Sequence, residues 1–121
     1  MITTKGTIMQ NILLAAMMII CATGSIAHSP LKSTIPANDA IISEVPMEVL
    51  LGFKGNIRLT RMSMTHADHN AIKLDISGHV GFIRDYVIPI EGMGPGIYII
   101  NWRGLGADGH ALNGKFSFMV E

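Results

Sequence analysis

Short apolar runs separated by turn residues recur about every eight to twelve positions from Leu31 onward, without a sustained helical period. Runs of this length and spacing are typical of all-β domains. The predicted strands are Leu31–Ile35, Val49–Phe53, Ile57–Met62, Ala71–Ile76, Asp85–Ile90, Gly96–Arg103 and Lys115–Val120. Seven such strands predict an all-β fold, a seven-stranded Greek-key β-sandwich or barrel that is immunoglobulin-like in architecture.

Turn residues set the predicted limits of these strands. The first strand ends at Pro36–Asp39, where a proline and two Asx residues favour a turn. The Gly55-Asn56 pair separates the second strand from the third, and the Gly92–Gly96 cluster predicts a tight reversal. Helix is expected for no more than a single turn near Ile41–Glu44. Trp102 and the phenylalanines are expected to fill the core.

The first 27 residues have the layout of a secretory signal peptide. A lone Lys5 precedes the apolar stretch Ile12–Ala22, and the small residues Ser25 and Ala27 follow it. Eleven apolar residues are too few for a bilayer-spanning helix, which needs ~20. The sequence therefore predicts a leader at 1–27, cleavage after Ala27, and a mature domain at 28–121 with no membrane span.

Composition excludes several classes of protein. Nine basic residues balance nine acidic ones, so a nucleic-acid-binding surface, which needs a clustered basic excess, is not expected. Cys21 is the single cysteine and lies within the predicted leader. The mature chain therefore has neither a disulfide nor a cysteine-based zinc site. The sequence also contains no Gly-x-Ser-x-Gly elbow and no phosphate-binding loop.

Cleavage after Ala27 would make His28 the first residue of the mature chain. Its free amine and its imidazole could then hold one metal ion together, and nitrogen ligands of this kind suit copper(II). Asp108-Gly109-His110 supplies a carboxylate and an imidazole two positions apart, and Gly109 relaxes the backbone between them. The competing interpretation is a simple hairpin turn at Asp108-Gly109 with His110 exposed on the surface.

A second candidate site lies in the segment 62–69. Thioether ligands select copper(I), and Met62, Met64 and His66 share one face of an alternating strand, with His69 nearby. The competing interpretation makes the two methionines core residues and the two histidines parts of a polar loop.

Several of these residues give the mature chain a family resemblance. His28 at the mature start, the Leu31–Ala37 segment, and the blocks Asn101–Arg103, Ala107–His110 and Gly114–Phe118 follow the order found in CopC-type periplasmic copper-resistance proteins. The chain resembles that family almost end to end. It departs from the family at Phe53–Asn56 and at the turn Pro36–Asp39, neither of which contains a predicted copper(II) ligand.

The resemblance implies a small Greek-key β-barrel or sandwich located in the periplasm. It implies copper(II) bound by the amine and side chain of His28 with Asp108 and His110, and in some members a methionine-rich copper(I) loop. It also implies an inner-membrane copper transporter of the CopD type as a partner. The expected function is sequestration or delivery of copper for resistance or homeostasis, without enzyme activity. The alternatives are a small copper-dependent redox enzyme and a metal-free secreted interaction module.

Overall fold

The computed structural model describes residues 30–121, and these residues form strands and connecting turns without any helix. No helix within this range has the length and apolarity to cross a bilayer. All-β architecture and the number of strands are as the sequence predicts. The strands are β1 (Leu31–Ile35), β2 (Ala40–Ile42), β3 (Glu48–His66), β4 (Ile72–Lys73), β5 (Ile83–Pro89), β6 (Gly96–Gly106) and β7 (Ala111–Val120).

Strand β3 belongs to both halves of the fold. Its first part pairs with β1 on one side and β5 on the other, between residues 48 and 53. Its second part pairs with β6 from Ile57 to His66 and with the short β4 at Ser63 and Met64. The register with β5 shifts between Gly52 and Ile57, where the strand passes from one half to the other. A strand that changes partners at a bend is a common way to build the corner of a sandwich.

The remaining strands complete a curled mixed sheet in the order β1-β3-β6-β7-β2, with β4 and β5 attached to β3. Strands β6 and β7 form a long antiparallel hairpin. Strand β2 lies parallel to the end of β7, with Ala40 opposite Phe118 and Ile42 opposite Val120. The result is the Greek-key β-sandwich or barrel expected from the sequence.

A one-residue bulge at Thr60 controls which side chains of β3 face the core. Leu59 lies opposite Gly104 and Arg61 opposite Arg103, so Thr60 has no partner of its own in the ladder. Buried positions are odd-numbered up to Leu59 and even-numbered from Met62 onward. Because side chains alternate along a strand, an extra residue reverses the alternation. The bulge therefore turns Met62 inward and leaves Arg61 outside.

Aromatic side chains occupy the centre of the core. The ring of Phe53 meets Trp102 edge-on at a centroid distance of 5.0 Å and Tyr86 at 5.9 Å. Tyr98 stacks on Phe118 at 5.1 Å. The rings come from the first part of β3 and from β5, β6 and β7, so they tie the two halves together. Trp102 and three of the four phenylalanines fill the core as expected, whereas Phe82 is exposed.

Four local expectations were wrong. Segment 41–44 is not helical, because β2 extends the sheet and half-buries Ala40 and Ile42 against the core. The chain stays extended through Gly55-Asn56, which marks the bend of β3 rather than a break. The predicted strand Ala71–Ile76 is reduced to the two residues of β4. The Gly92–Gly96 cluster connects β5 to β6, which are not neighbours in the sheet, so it does not close a hairpin.

The packing of Trp102 against Gly114 yields a test of the core. A Cβ atom at Gly114 would lie 2.8 Å from Cζ2 and Nε1 of the indole, and the buried ring has little room to move. We expect Gly114→Ala to lower the free energy of unfolding by about 1–3 kcal/mol, as overpacking does. Urea denaturation followed by tryptophan fluorescence measures this change.

The matched control is Gly55→Ala, which changes a strand glycine with nothing within 4 Å of the new Cβ. Its stability should be unchanged or raised by up to about 1 kcal/mol. Equal stabilities for the two variants would contradict the close packing of Trp102.

Candidate metal centre

The hairpin between β6 and β7 carries two of the predicted ligands. Its closing residues bond to each other, as Gly106 N–H donates to the His110 carbonyl at 2.9 Å and Gly109 N–H donates to the Gly106 carbonyl at 2.9 Å. Gly109 has a φ of +85°, in the region where glycine is favoured. The turn predicted at Asp108-Gly109 is therefore present, and its conformation brings Asp108 and His110 to the same side.

Asp108 and His110 form a hydrogen-bonded pair in this turn. His110 Nδ1 lies 2.6 Å from Asp108 Oδ2, and the His110 backbone N–H donates to Oδ1 at 3.1 Å. The side chains are 80% and 67% exposed for His110 and Asp108. An ionised carboxylate accepts from Nδ1–H, which leaves the lone pair of the neutral ring on Nε2. A carboxylate that fixes one ring nitrogen while the other faces outward is a frequent arrangement for metal-binding histidines.

Each member of the pair changes the acidity of the other. The hydrogen bond that His110 donates to Asp108, and the negative charge of that carboxylate, raise the pKa of His110 above the ordinary 6.5. The same side-chain hydrogen bond, together with that from the backbone N–H, lowers the pKa of Asp108 below 3.8. The His110 contribution to stability is present below pH 6.5 and is lost as the pH rises through the raised pKa. The Asp108 contribution is present above pH 3.8 and is lost as the pH falls through its lowered pKa.

The third predicted copper(II) ligand, His28, lies outside the described residues, as do the predicted leader and its cleavage point. Within residues 30–121, no three side chains of His, Cys, Asp or Glu meet at one point. The hairpin by itself therefore offers two ligands, and a closed site needs a donor from elsewhere.

The start of β1 lies at the end of the molecule that carries this hairpin. The Pro30 carbonyl accepts a hydrogen bond from Lys54 N–H at 2.9 Å. Three residues further along β3, Ile57 lies opposite Gly106, the last residue of β6 before the turn. The described chain therefore begins near the bend of β3, which is also where β6 ends.

The second candidate segment is divided between the core and the surface. Met62, Met64 and His66 point inward together, as alternation predicts, and both methionines are buried in the core. His69 is exposed in the following turn, where its Nδ1 lies 3.1 Å from the His66 carbonyl. The four residues therefore do not share one face, although the His66 and His69 rings are 5.7 Å apart.

His66 is an unusual buried polar side chain. It is 6% exposed, its ring lies 4.6 Å from that of Tyr98, and Nε2 lies 2.8 Å from the Pro95 carbonyl. A carbonyl can only accept, so Nε2 carries the proton and Nδ1 has the lone pair. Nδ1 is buried without a hydrogen-bond partner among the described residues. An unsatisfied imidazole nitrogen of this kind is a potential soft-metal ligand.

Sequence reasoning missed one thioether close to this segment. Met93, in the connection between β5 and β6, lines a groove of about 500 Å³ together with Met64. The two residues are 29 positions apart, so only the folded sheet brings them together. Met64 therefore forms part of the wall of a surface groove although its side chain is buried.

Comparison with known proteins identifies the family. A CopC domain model matches residues 31–121, so the chain belongs to the CopC domain family. The resemblance seen in the sequence is thereby confirmed.

The chain is similar in sequence to two curated relatives and in structure to two solved proteins. Copper resistance protein C from Escherichia coli is 26% identical over 111 residues, which cover 83% of this chain and 86% of that protein. Protein YobA from Escherichia coli K12 is 25% identical over 99 residues, which cover 78% of this chain and 80% of that protein. PcoC, a methionine-rich copper resistance protein from Escherichia coli, matches with a TM-score of 0.56 and 27% identity over 78% of this chain and 100% of that structure. CopC from Methylosinus trichosporium OB3b matches in fold, with a TM-score of 0.65 and 23% identity over 78% of this chain and 94% of that structure.

The Asp108–His110 pair can be tested without metal. In the metal-free protein, the imidazole of His110 should titrate above the ordinary 6.5 because of the carboxylate beside it. In Asp108→Ala the pKa should fall back toward that value. Chemical shifts of the His110 ring protons across a pH series measure the pKa in both proteins. An identical midpoint for His110 in the two proteins would exclude the hydrogen-bonded pair.

Proposed function

We propose that this protein binds copper(II) in the periplasm and buffers it or passes it on, as a copper resistance or homeostasis protein. The observation that carries the proposal is the Asp108–His110 pair on a glycine-shaped hairpin in a CopC-family fold. Copper is the cargo here, and we propose binding rather than catalysis. Periplasmic location rests on the predicted leader at 1–27, and the proposed receiving partner is an inner-membrane transporter of the CopD type.

The proposed copper(II) ligands are His28, Asp108 and His110. His28 precedes Pro30 by two residues, a span of at most ~7 Å in an extended chain. Because Pro30 lies beside the bend of β3 at the hairpin end, a short link supports a site shared between the amino terminus and the hairpin. The amine and imidazole of His28 would supply the nitrogens that the hairpin lacks.

The two hairpin residues have unequal roles in this proposal. His110 can bind through Nε2 without losing the hydrogen bond to Asp108. For Asp108 to bind the same ion, its side chain must turn and release Nδ1, so it is the weaker ligand. Even without direct ligation, its charge next to the ring favours a bound cation and fixes the orientation of the imidazole.

The copper(II) site should depend on processing. Adding one residue before His28 converts its amine into an amide and separates the free amine from the imidazole, so high-affinity binding should be lost while the fold remains.

His110→Ala should weaken copper(II) binding more than Asp108→Asn, since it removes a nitrogen donor. Affinity should fall as the pH drops from ~7 to ~5, because protons compete for the imidazoles. Competitive titration with a copper(II) chelator measures each effect.

His79→Ala, which changes a histidine outside the hairpin, is the matched control and should bind copper(II) normally. Equal affinities for the authentic and extended termini would rule out a site that uses the His28 amine. Sustained peroxide formation by the copper-loaded protein with a reductant would favour the redox-enzyme alternative. No copper(II) binding by the processed protein would favour the metal-free interaction module.

A copper(I) site formed by Met62, Met64, His66 and His69 is the second part of the proposal. The observation that favours it is the buried, unpartnered Nδ1 of His66 on the same face as both methionines. Copper(I) would reach Met64 through the groove that it shares with Met93. Burial of both sulfurs demands some opening of the sheet, so we expect slower binding here than at the exposed hairpin.

The double change Met62→Leu, Met64→Leu separates a copper(I) site from a purely structural role. Leucine keeps the volume, at a cost of about 1 kcal/mol per site, so the fold should survive. Copper(I) binding under anaerobic reducing conditions, measured in a protein with an extended amino terminus, should be abolished by the change. The same change, made in the protein with the authentic terminus, should leave copper(II) binding intact. Normal copper(I) binding by the leucine variant would make the methionines core residues only.

A further inference from the structure

Cations gather on the outer face of the sheet made by the second part of β3 with β6 and β7. Arg61 lies directly opposite Arg103, which lies opposite Asn113 on the next strand. Two residues further along β3, Ser63 lies opposite Asn101, and Asn101 lies opposite Lys115. We call these two rows the cationic face, and its members are Arg61, Ser63, Asn101, Arg103, Asn113 and Lys115.

The Thr60 bulge creates this arrangement. Without the extra residue, the alternation of the first part of β3 would direct position 61 into the core and position 62 outward. With it, the two arginines occupy directly opposed positions on a solvent-facing surface. Like charges placed opposite each other across two strands repel and destabilise the pair. The bulge therefore places Arg61 and Arg103 where their charges repel and destabilise this part of the sheet.

No carboxylate among the described residues forms an ion pair with either arginine. The ion pair formed within residues 30–121 is that of Asp108 with His110, and no side chain of the cationic face has a hydrogen-bond or ion-pair partner there. Asp39 approaches the same sheet face at Ser117, but Asn38 and Ser117 already donate to it. The guanidinium groups and the neighbouring amides are thus a set of unused donors.

These donors surround a cleft of about 470 Å³. Its lining combines five members of the cationic face with Trp102 and Gly114, which lie on the same strands β6 and β7. The guanidinium groups stand on adjacent strands, which lie about 4.8 Å apart, so both can reach one small anion. Arginine presents a planar fork of donors that matches the oxygens of a carboxylate or a phosphate. Serine and asparagine add neutral donors at the same opening.

We propose that this cleft binds an oxyanion, the carboxylate or phosphate group of a small ligand in solution. Such an anion accepts hydrogen bonds from both arginines and cancels their mutual repulsion, so binding and sheet stability increase together. The site is separate from the hairpin ligands, because Arg103 lies three residues before the end of β6 and its side chain is on the sheet face. The proposal does not depend on copper binding.

The experiment titrates the copper-free protein with inorganic phosphate and, separately, with succinate, at constant ionic strength. Shifts in the Arg61 and Arg103 Nε–H and the Asn101 and Asn113 amide NMR signals report binding. Arg61→Gln should weaken binding about tenfold, the effect of losing one charge-assisted hydrogen-bonding group. The affinity of Arg61→Lys should lie between those of the unmodified protein and Arg61→Gln, because lysine keeps the positive charge but lacks the planar fork of donors. The bound anion should also raise the melting temperature of the unmodified protein more than that of Arg61→Gln.

Arg84→Gln is the matched control, since it removes an exposed arginine of β5 that does not line the cleft. It should bind as the unmodified protein does. Binding of phosphate alone, of succinate alone, or of both supports the site and identifies its ligand chemistry. Absence of saturable shifts with either anion, or equal binding by Arg61→Gln and Arg84→Gln, would overturn the proposal.

Discussion

The fold depends on one strand that changes partners. Strand β3 runs for 19 residues, pairs with β1 and β5 in its first part, and pairs with β6 and β4 in its second. Both parts direct apolar side chains to a common core, so the strand joins the two halves covalently while the aromatic cluster joins them by packing. Without a disulfide in residues 30–121, these contacts provide the cohesion that covalent cross-links give many small secreted domains.

The same construction leaves the hairpin free to serve a ligand. Ten residue pairs hold β6 against β7, which makes the base of the hairpin rigid up to Leu105 and Ala111. Asp108 and His110 then lie on a four-residue connection whose conformation is fixed by Gly109 and by the hydrogen bonds of Gly106, which donates to the His110 carbonyl and accepts from Gly109 N–H. A rigid support with an exposed, preoriented imidazole suits an ion that must be both captured and released.

The sequence predicts the strands better than it predicts how they join. Leu31–Ile35 and the Asp108-Gly109 turn match the structure because local signals determine them: the proline turn at Pro36–Asp39 ends the strand in one case, and a glycine with positive φ shapes the turn in the other. The helical turn predicted at 41–44 is wrong because β2 exists only by pairing with β7, whose partner residues lie 78 positions further on. The proposed ligands of the hairpin are two positions apart in sequence and could be proposed from spacing, whereas the proximity of Met93 to Met64 requires the fold.

The Thr60 bulge illustrates how a single irregularity can escape sequence analysis and still determine which side chains face the core. Periodicity around Ile57–Met62 reads as one alternating strand, but the burial pattern changes phase within it. The sequence of 61–66 places Met62, Met64 and His66 on one face, and the bulge lets that face point to the core while Arg61 and Ser63 point outward. The opposite phase would bury an arginine beside Trp102, which is far more costly than leaving Thr60 unpaired. The chemistry of both faces of β3 therefore follows from the exclusion of one charge from the core.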